Sequence, residues 1–266
     1  MTIQHGGLIW TATSGTAGAR RIVLVHGSLD RSAGLLKLSR RLDEHFQVTR
    51  YDRRGYGRSV PCEGPFHIDA QVADLVEVVA AGTTPCTLVG HSFGGNVALA
   101  VAERRPDLVD AVVTYESPMS WLPTWPGNSS LLASNEWSAD PEAGAEAFLR
   151  RMIGDERWER MPPSTKQARR SEGPALVGEL AALRLSAPWN AASIRVPVLV
   201  LVGEFAADHH RDSMHVLADE LPSGRLVTIP GARHFGPNSH PDEVAAAVLE
   251  FLSDAVPVAS DGLALD

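Results

Sequence analysis

Six residues near the middle of the chain, Gly90-His91-Ser92-Phe93-Gly94-Gly95, contain the pattern G-x-S-x-G. They follow a short apolar run, Cys86 to Val89, and precede a helix-like run, Asn96 to Arg104. A serine on so sharp a strand-to-helix turn sits in strained backbone with its hydroxyl presented outward, and small neighbours avoid the clashes of that turn. The first amides of the following helix can stabilise a developing oxyanion. Residue types and context together point to nucleophilic attack by Ser92 on a carbonyl carbon. A bare Gly-rich turn would need neither the strand before it nor the helix after it.

Three further motifs accompany the first. His26-Gly27-Ser28 follows an apolar run, Asp52-Arg53-Arg54-Gly55-Tyr56-Gly57-Arg58-Ser59 follows the next, and Pro230-Gly231-Ala232-Arg233-His234-Phe235 comes late. In that order, from about Leu8 to Leu252, they resemble the α/β-hydrolase superfamily in its serine-nucleophile branch. The resemblance implies that Ser92 is the nucleophile and His234 the general base. It also makes the backbone amides of Ser28 and Phe93 the oxyanion-hole donors. His26 and Asp52 are read as residues that shape loops. Haloalkane dehalogenases and epoxide hydrolases of this fold carry an aspartate where this chain has Ser92, so those chemistries are disfavoured.

The resemblance does not supply the third member of the triad in its usual place. An aspartate is expected three residues after the glycine that ends the next-to-last strand, and here that position is Ala206, in Gly203-Glu204-Phe205-Ala206-Ala207-Asp208. Three explanations stand: a shifted loop that brings Asp208 or Glu204 to His234, a carboxylate from the preceding strand end, or loss of the acid. We favour Glu116, in Tyr115-Glu116-Ser117-Pro118, because parallel strands deliver functional groups at their carboxyl ends. Y-E-S-P also resembles a Y-E-P-P pattern of relatives with the same D-R-R-G turn.

The expected reaction is hydrolysis of a small, fairly hydrophobic carboxylic ester or lactone through an acyl-serine intermediate. The alternatives are a ligand-binding or receptor-like homologue, prompted by Ala206, and a biosynthetic lyase or cyclase. Trp121, Trp125 and Trp137 follow the strand end at Glu116 closely and are candidates for a substrate pocket. They could equally build a small core of their own. Asp208, His209, His210 and His215 lack the i, i+4 histidine spacing of a helical zinc site, so no metal is assigned, and no cofactor is implied.

Positioning these residues requires strands that end at one edge. Continuous apolar runs at Ile22–Val25, Val48–Tyr51, Cys86–Val89, Ala111–Tyr115, Val198–Val202 and Leu226–Ile229 read as parallel strands covered on both faces. Ile68, Val72, Leu75, Val76 and Val79 share one helical face, as do Val244, Val248, Leu249 and Leu252. Alternating strand and helix predicts an α/β fold with a doubly wound, mostly parallel sheet. Residues 117–192 break the alternation and hold five of the six tryptophans, which predicts a helical cap, with helices over Glu142–Met152 and Ser171–Leu185. The core is then 1–116 with 193–253, and 254–266 a flexible tail.

With 44% hydrophobic and 21% charged residues and a net charge of -8, the chain reads as an ordinary globular protein with a small-molecule substrate and no nucleic-acid partner. Of the arginine pairs Arg20-Arg21, Arg40-Arg41, Arg53-Arg54 and Arg150-Arg151, most read as solvated helix or strand ends. Cys62 and Cys86 make no disulfide framework and no zinc set. With no apolar run near the ~20 residues of a membrane span and none of signal-peptide length at the start, the expected location is cytoplasmic. The oligomeric state is left open.

Overall fold

The computed structural model describes residues 2–6, 9–126 and 129–255. Eight strands form one sheet: β1 Thr2–Gly6, β2 Ile9–Gly15, β3 Arg21–Val25, β4 Gln47–Asp52, β5 Cys86–His91, β6 Val109–Tyr115, β7 Val198–Gly203 and β8 Gly224–Ile229. Their spatial order is β1-β2-β4-β3-β5-β6-β7-β8. The β1·β2 and β2·β4 pairs are antiparallel, and every pair from β4·β3 to β7·β8 is parallel. All six strands expected from the apolar runs are present. The two additional ones lie at the antiparallel edge, where β2 alternates partly exposed Thr11 and Thr13 with buried Trp10 and Ala12. A strand with one wet face gives no continuous apolar run.

Helices α1 Leu36–Leu42, α2 Ile68–Ala80 and α3 Phe93–Arg104 belong to the first half of the chain. Between β6 and β7 come α4 Ser129–Ser134, α5 Glu136–Ala139, α6 Pro141–Ile153, α7 Asp155–Glu159, α8 Pro163–Arg170 and α9 Gly173–Leu185. After β7 follow α10 Asp208–Glu220, α11 Gly236–Ser239 and α12 Pro241–Ala255. Pro141, Pro163 and Pro174 stand in the first turns of α6, α8 and α9, where a missing N–H costs nothing. Residues that punctuate the sequence therefore start helices here. Of the tail expected to be flexible, 254 and 255 close α12 and the remainder lies outside the described residues.

The continuous apolar strands divide by period two between two cores. Val23 and Val25 face α2, α3 and α10 through Val72, Leu75, Val97, Met214 and Leu217. Ile22 and Leu24 face α1 and α12 through Leu38, Leu42, Val244 and Val248. The sheet is thus doubly wound. A third cluster fills the helical insertion with Trp137, Leu149, Trp158, Leu176 and Leu180, and takes Leu29 and Tyr56 from loops of the sheet. No helix among the described residues is long and apolar enough to cross a membrane.

Strand order reverses between β3 and β5, because β4 lies on one side of β3 and β5 on the other. In open α/β sheets the crevice at the carboxyl ends of such strands is where ligands bind.

Candidate active site

Three non-glycine residues among those described have positive φ: Leu29 at 49°, Ser92 at 53° and Glu116 at 45°. They follow the carboxyl ends of β3, β5 and β6, three neighbouring strands. Left-handed backbone at an ordinary residue costs about 1–3 kcal/mol, and such strain collects where function demands it. Here it sits at one edge of the sheet.

Ser92 is the last residue before α3, with ψ at -127°. Its amide donates to the carbonyl of Tyr115 at 2.8 Å, and its own carbonyl accepts from the Gly95 amide at 2.9 Å. Two glycines permit the surroundings. A Cβ on Gly94 would collide with the Val25 carbonyl, so α3 could not lie this close to β3. A Cβ on Gly27 would stand 3.0 Å from that of Ser92, so the loop after β3 would have to draw back from the elbow by a few tenths of an ångström. Phe93 is buried as the first residue of α3, and Ser28 lines the cavity that holds Ser92.

Glu116 is fully buried at the end of β6. Its Oε1 accepts from the Gly203 amide at 2.9 Å, and its Oε2 lies 2.8 Å from His234 Nδ1. A carboxylate only accepts, so Nδ1 carries the proton and Nε2 keeps its lone pair. Ser92 and His234 line one cavity of about 410 Å³. The other candidates for the acid go elsewhere. Glu204 accepts from the Gly231 amide at 2.7 Å. Asp208 opens α10, 90% exposed, and pairs with Arg211. Ala206 is buried against the core between β7 and α10.

Two side chains hold the loop that carries His234. Tyr115 Oη donates to the Arg233 carbonyl at 2.8 Å, and His91 Nε2 donates to the His234 carbonyl at 2.7 Å. Burial first, and the facing His234 second, push the His91 imidazole down to about 3. It stays neutral. His91 occupies the variable position of G-x-S-x-G, and nothing in that pattern assigns it a role. In the sequence His210 stands out only as one of a group of potential metal ligands. It lies beside His234, ring centroids 4.7 Å apart, and burial with His234 nearby holds it well below the usual histidine range. One ligand atom each from Glu116, His210 and His234 lies within 4.8 Å of the others, a set that includes neither Asp208 nor His215. Glu116 and His234 are already bonded to each other.

Of the three tryptophans expected at the pocket, Trp125 alone lines it, edge-on to His209 and His210 at 4.6 and 5.0 Å. Trp137 packs over Gly144 and Phe148 inside the insertion's own core. Trp121 meets Trp189 edge-on at 5.2 Å against the main core. Both are drawn away by apolar partners that sequence spacing cannot show.

Arg53 is an exception to the expectation that most of the arginine pairs are solvated. Arg53 is fully buried: Nη1 donates to Glu179 of α9 at 2.8 Å, Nε to the His26 carbonyl at 2.9 Å and Nη2 to the Gly27 carbonyl at 3.1 Å. His26 Nε2 accepts from the Arg53 amide at 2.9 Å, while Asp52 accepts from the amides of Ser32 and Arg58 at 2.7 and 2.9 Å. Arg21 is likewise buried, donating to the carbonyls of Val78 and Val79 at the end of α2. Arg54 pairs with Asp74.

A model of the alpha/beta hydrolase family matches residues 22–247. The chain is 30% identical over 259 residues to polyketide synthase ThaQ of Burkholderia thailandensis, which covers 91% of this chain and 12% of that protein. It is 28% identical over 245 residues to a pimeloyl-[acyl-carrier protein] methyl ester esterase of Yersinia pseudotuberculosis, covering 88% of this chain and 93% of the relative. It spans less than half the length of the first curated relatives it matches. The enol-lactonase structure from Burkholderia xenovorans LB400 superposes with a TM-score of 0.73 at 23% identity, over 92% of this chain and 96% of that one, a likeness of fold. With a family match over most of its length and this strand order beneath it, the chain belongs to the alpha/beta hydrolase family.

Proposed function

We propose that the protein is a serine hydrolase that cleaves a small, fairly hydrophobic carboxylic ester or lactone through an acyl-serine intermediate. The observation that carries this reading is the 2.8 Å contact of Glu116 with His234 Nδ1, made while His234 shares a cavity with the strained Ser92. In the reaction His234 Nε2 takes the proton of the Ser92 hydroxyl as its oxygen attacks the carbonyl carbon. Buried Glu116 stabilises the imidazolium that forms. The amides of Ser28 and Phe93 receive the oxyanion, each contributing about 3 kcal/mol. The imidazolium then protonates the leaving alcohol, and water hydrolyses the acyl-enzyme by the same steps in reverse order. For a lactone the leaving alcohol is the far end of the acyl chain, so ring opening gives a hydroxyacyl-enzyme and water then releases a single hydroxy acid.

In this reading residues 117–192 act as a cap over the site, with Trp125, Phe148 and Leu180 offering the substrate an apolar wall. Glu116 fills the role left vacant by Ala206, which removes the reason for preferring a ligand-binding homologue without turnover. The compartment we propose is the cytoplasm, in keeping with two free cysteines, Cys62 and Cys86. A fluorophosphonate should label the native protein stoichiometrically and leave Ser92→Ala unlabelled. A native protein that turns over p-nitrophenyl esters yet resists the label would overturn the acyl-serine mechanism.

A further inference from the structure

The cavity above Ser92 carries two cations and no anion of its own. Arg151, near the end of α6, and Arg233, next to His234, both line it, and no Asp or Glu among the described residues does. Elsewhere in this chain of net charge -8 many arginines find carboxylates, among them Arg20, Arg41, Arg104 and Arg225, while others such as Arg21 and Arg184 donate to backbone carbonyls. Arg150, the neighbour of Arg151, takes Glu146, Asp155 and Glu159. Among the described residues Arg151 has no such partner. Its guanidinium lies 5.9 Å from the Phe148 ring, and that of Arg233 lies 5.7 Å from the ring of Phe205. Both arginines are exposed. Partial desolvation lowers the Arg151 pKa, and no opposing carboxylate restores it.

Two exposed guanidiniums lining a cavity with no carboxylate in its lining give it a positive field, so an anion entering it gains charge-assisted contacts. Asp208, the first residue of α10, is 90% exposed and paired with Arg211. The cavity lining also includes the apolar side chains of Trp125, Phe148 and Leu180, which suit a short hydrocarbon chain. We propose that the substrate is itself an anion, a half-ester or carboxylated lactone of a dicarboxylic acid, whose free carboxylate sits against Arg151 and Arg233 while its ester carbonyl lies at Ser92. The inference rests on the hydrolase reading above and adds the charge of the substrate to it.

A matched pair tests the charge: mono-p-nitrophenyl adipate against its methyl p-nitrophenyl diester, equal in leaving group and chain length. Two exposed ion pairs at the cavity should favour the anionic ester by up to about tenfold in kcat/KM. The preference should shrink as salt rises from about 0.05 to 0.5 M. It should fall several-fold in Arg151→Met and below one in Arg151→Glu, with the change carried by KM. A native enzyme that cleaves both esters equally, or a preference retained in both Arg151→Met and Arg233→Met, would overturn the proposal and leave the hydrolase reading intact. Binding of monomethyl adipate to Ser92→Ala, followed by calorimetry, separates the two ideas. Heat of binding that weakens at least fivefold in Ser92→Ala with Arg151→Met supports the anion site whether or not the native protein turns over esters. No binding to Ser92→Ala counts against it.

Discussion

Glu116 reaches His234 from the end of a strand and not from the loop after Gly203, and the reason is local. A positive φ at Glu116 turns its side chain toward the next strand, where the Gly203 amide holds one carboxylate oxygen and leaves the other for His234. Replacing it with glutamine keeps the volume and removes the charge that stabilises an imidazolium. We expect Glu116→Gln to lower kcat on p-nitrophenyl butyrate by about three to four orders of magnitude, as loss of a triad carboxylate does elsewhere. Asp208→Asn, altering a 90% exposed side chain paired to Arg211, should stay within about twofold. Equal small losses in the two folded variants would remove Glu116 from the triad. The side chains standing here were open to the sequence to different degrees. Ser92 and Glu116 could be named because each follows an apolar strand, so their place at the sheet edge is a matter of counting. Trp137 could not, since its burial depends on Gly144 and Phe148 from the next helix. Arg151 and His210 carry no pattern at all.

At the scale of elements, the helical insertion is tied to the sheet by charge as well as by apolar contact. Glu179 of α9 receives Arg53 through one oxygen and Tyr56 through the other, at 2.8 and 2.6 Å, with both members of the ion pair fully buried. Arg53 spends its remaining donors on the carbonyls of His26 and Gly27, the loop beside Ser92. Removing one member of such a pair strands the other without water, so Glu179→Ala should cost about 3–5 kcal/mol by urea unfolding. The double change Arg53→Met with Glu179→Met, which leaves no orphan charge, should cost less in stability than Glu179→Ala. It should still reduce kcat, because the loop beside Ser92 loses its two ties. A Glu179→Ala variant as stable as the native protein would show that water reaches Arg53. None of this was legible in sequence, where Arg53 and Arg54 look alike. The partner of one is 126 residues away in a different layer, while that of the other is 20 residues on. The central strands were legible for the opposite reason, since covering both faces of a sheet leaves a continuous apolar signature, whereas β2, wet on one face, leaves none.

For the molecule as a whole, folding encloses imidazoles that an unfolded chain would leave free to take protons. His26 and His210 are held well below the ordinary histidine range, and His91 falls from 6.5 to about 3, with burial the largest cause in each. Below pH 6.5 the unfolded chain binds these protons and the folded chain does not. Stability is therefore complete above the unfolded value and declines as pH falls toward the folded one. For His91 alone the slope is about 1.4 kcal/mol for each pH unit between 6.5 and about 3. Carboxylates contribute mainly below about pH 5, so the interval from about 6.5 to 5 isolates the histidines. His91→Gln retains a donor for the His234 carbonyl and cannot titrate. Urea unfolding at half-unit steps across that interval should give a stability curve flatter than the native one by about 1.4 kcal/mol per unit. Parallel curves would mean that His91 takes its proton equally in both states, and the enclosed, neutral imidazole that braces the His234 loop would have to be abandoned.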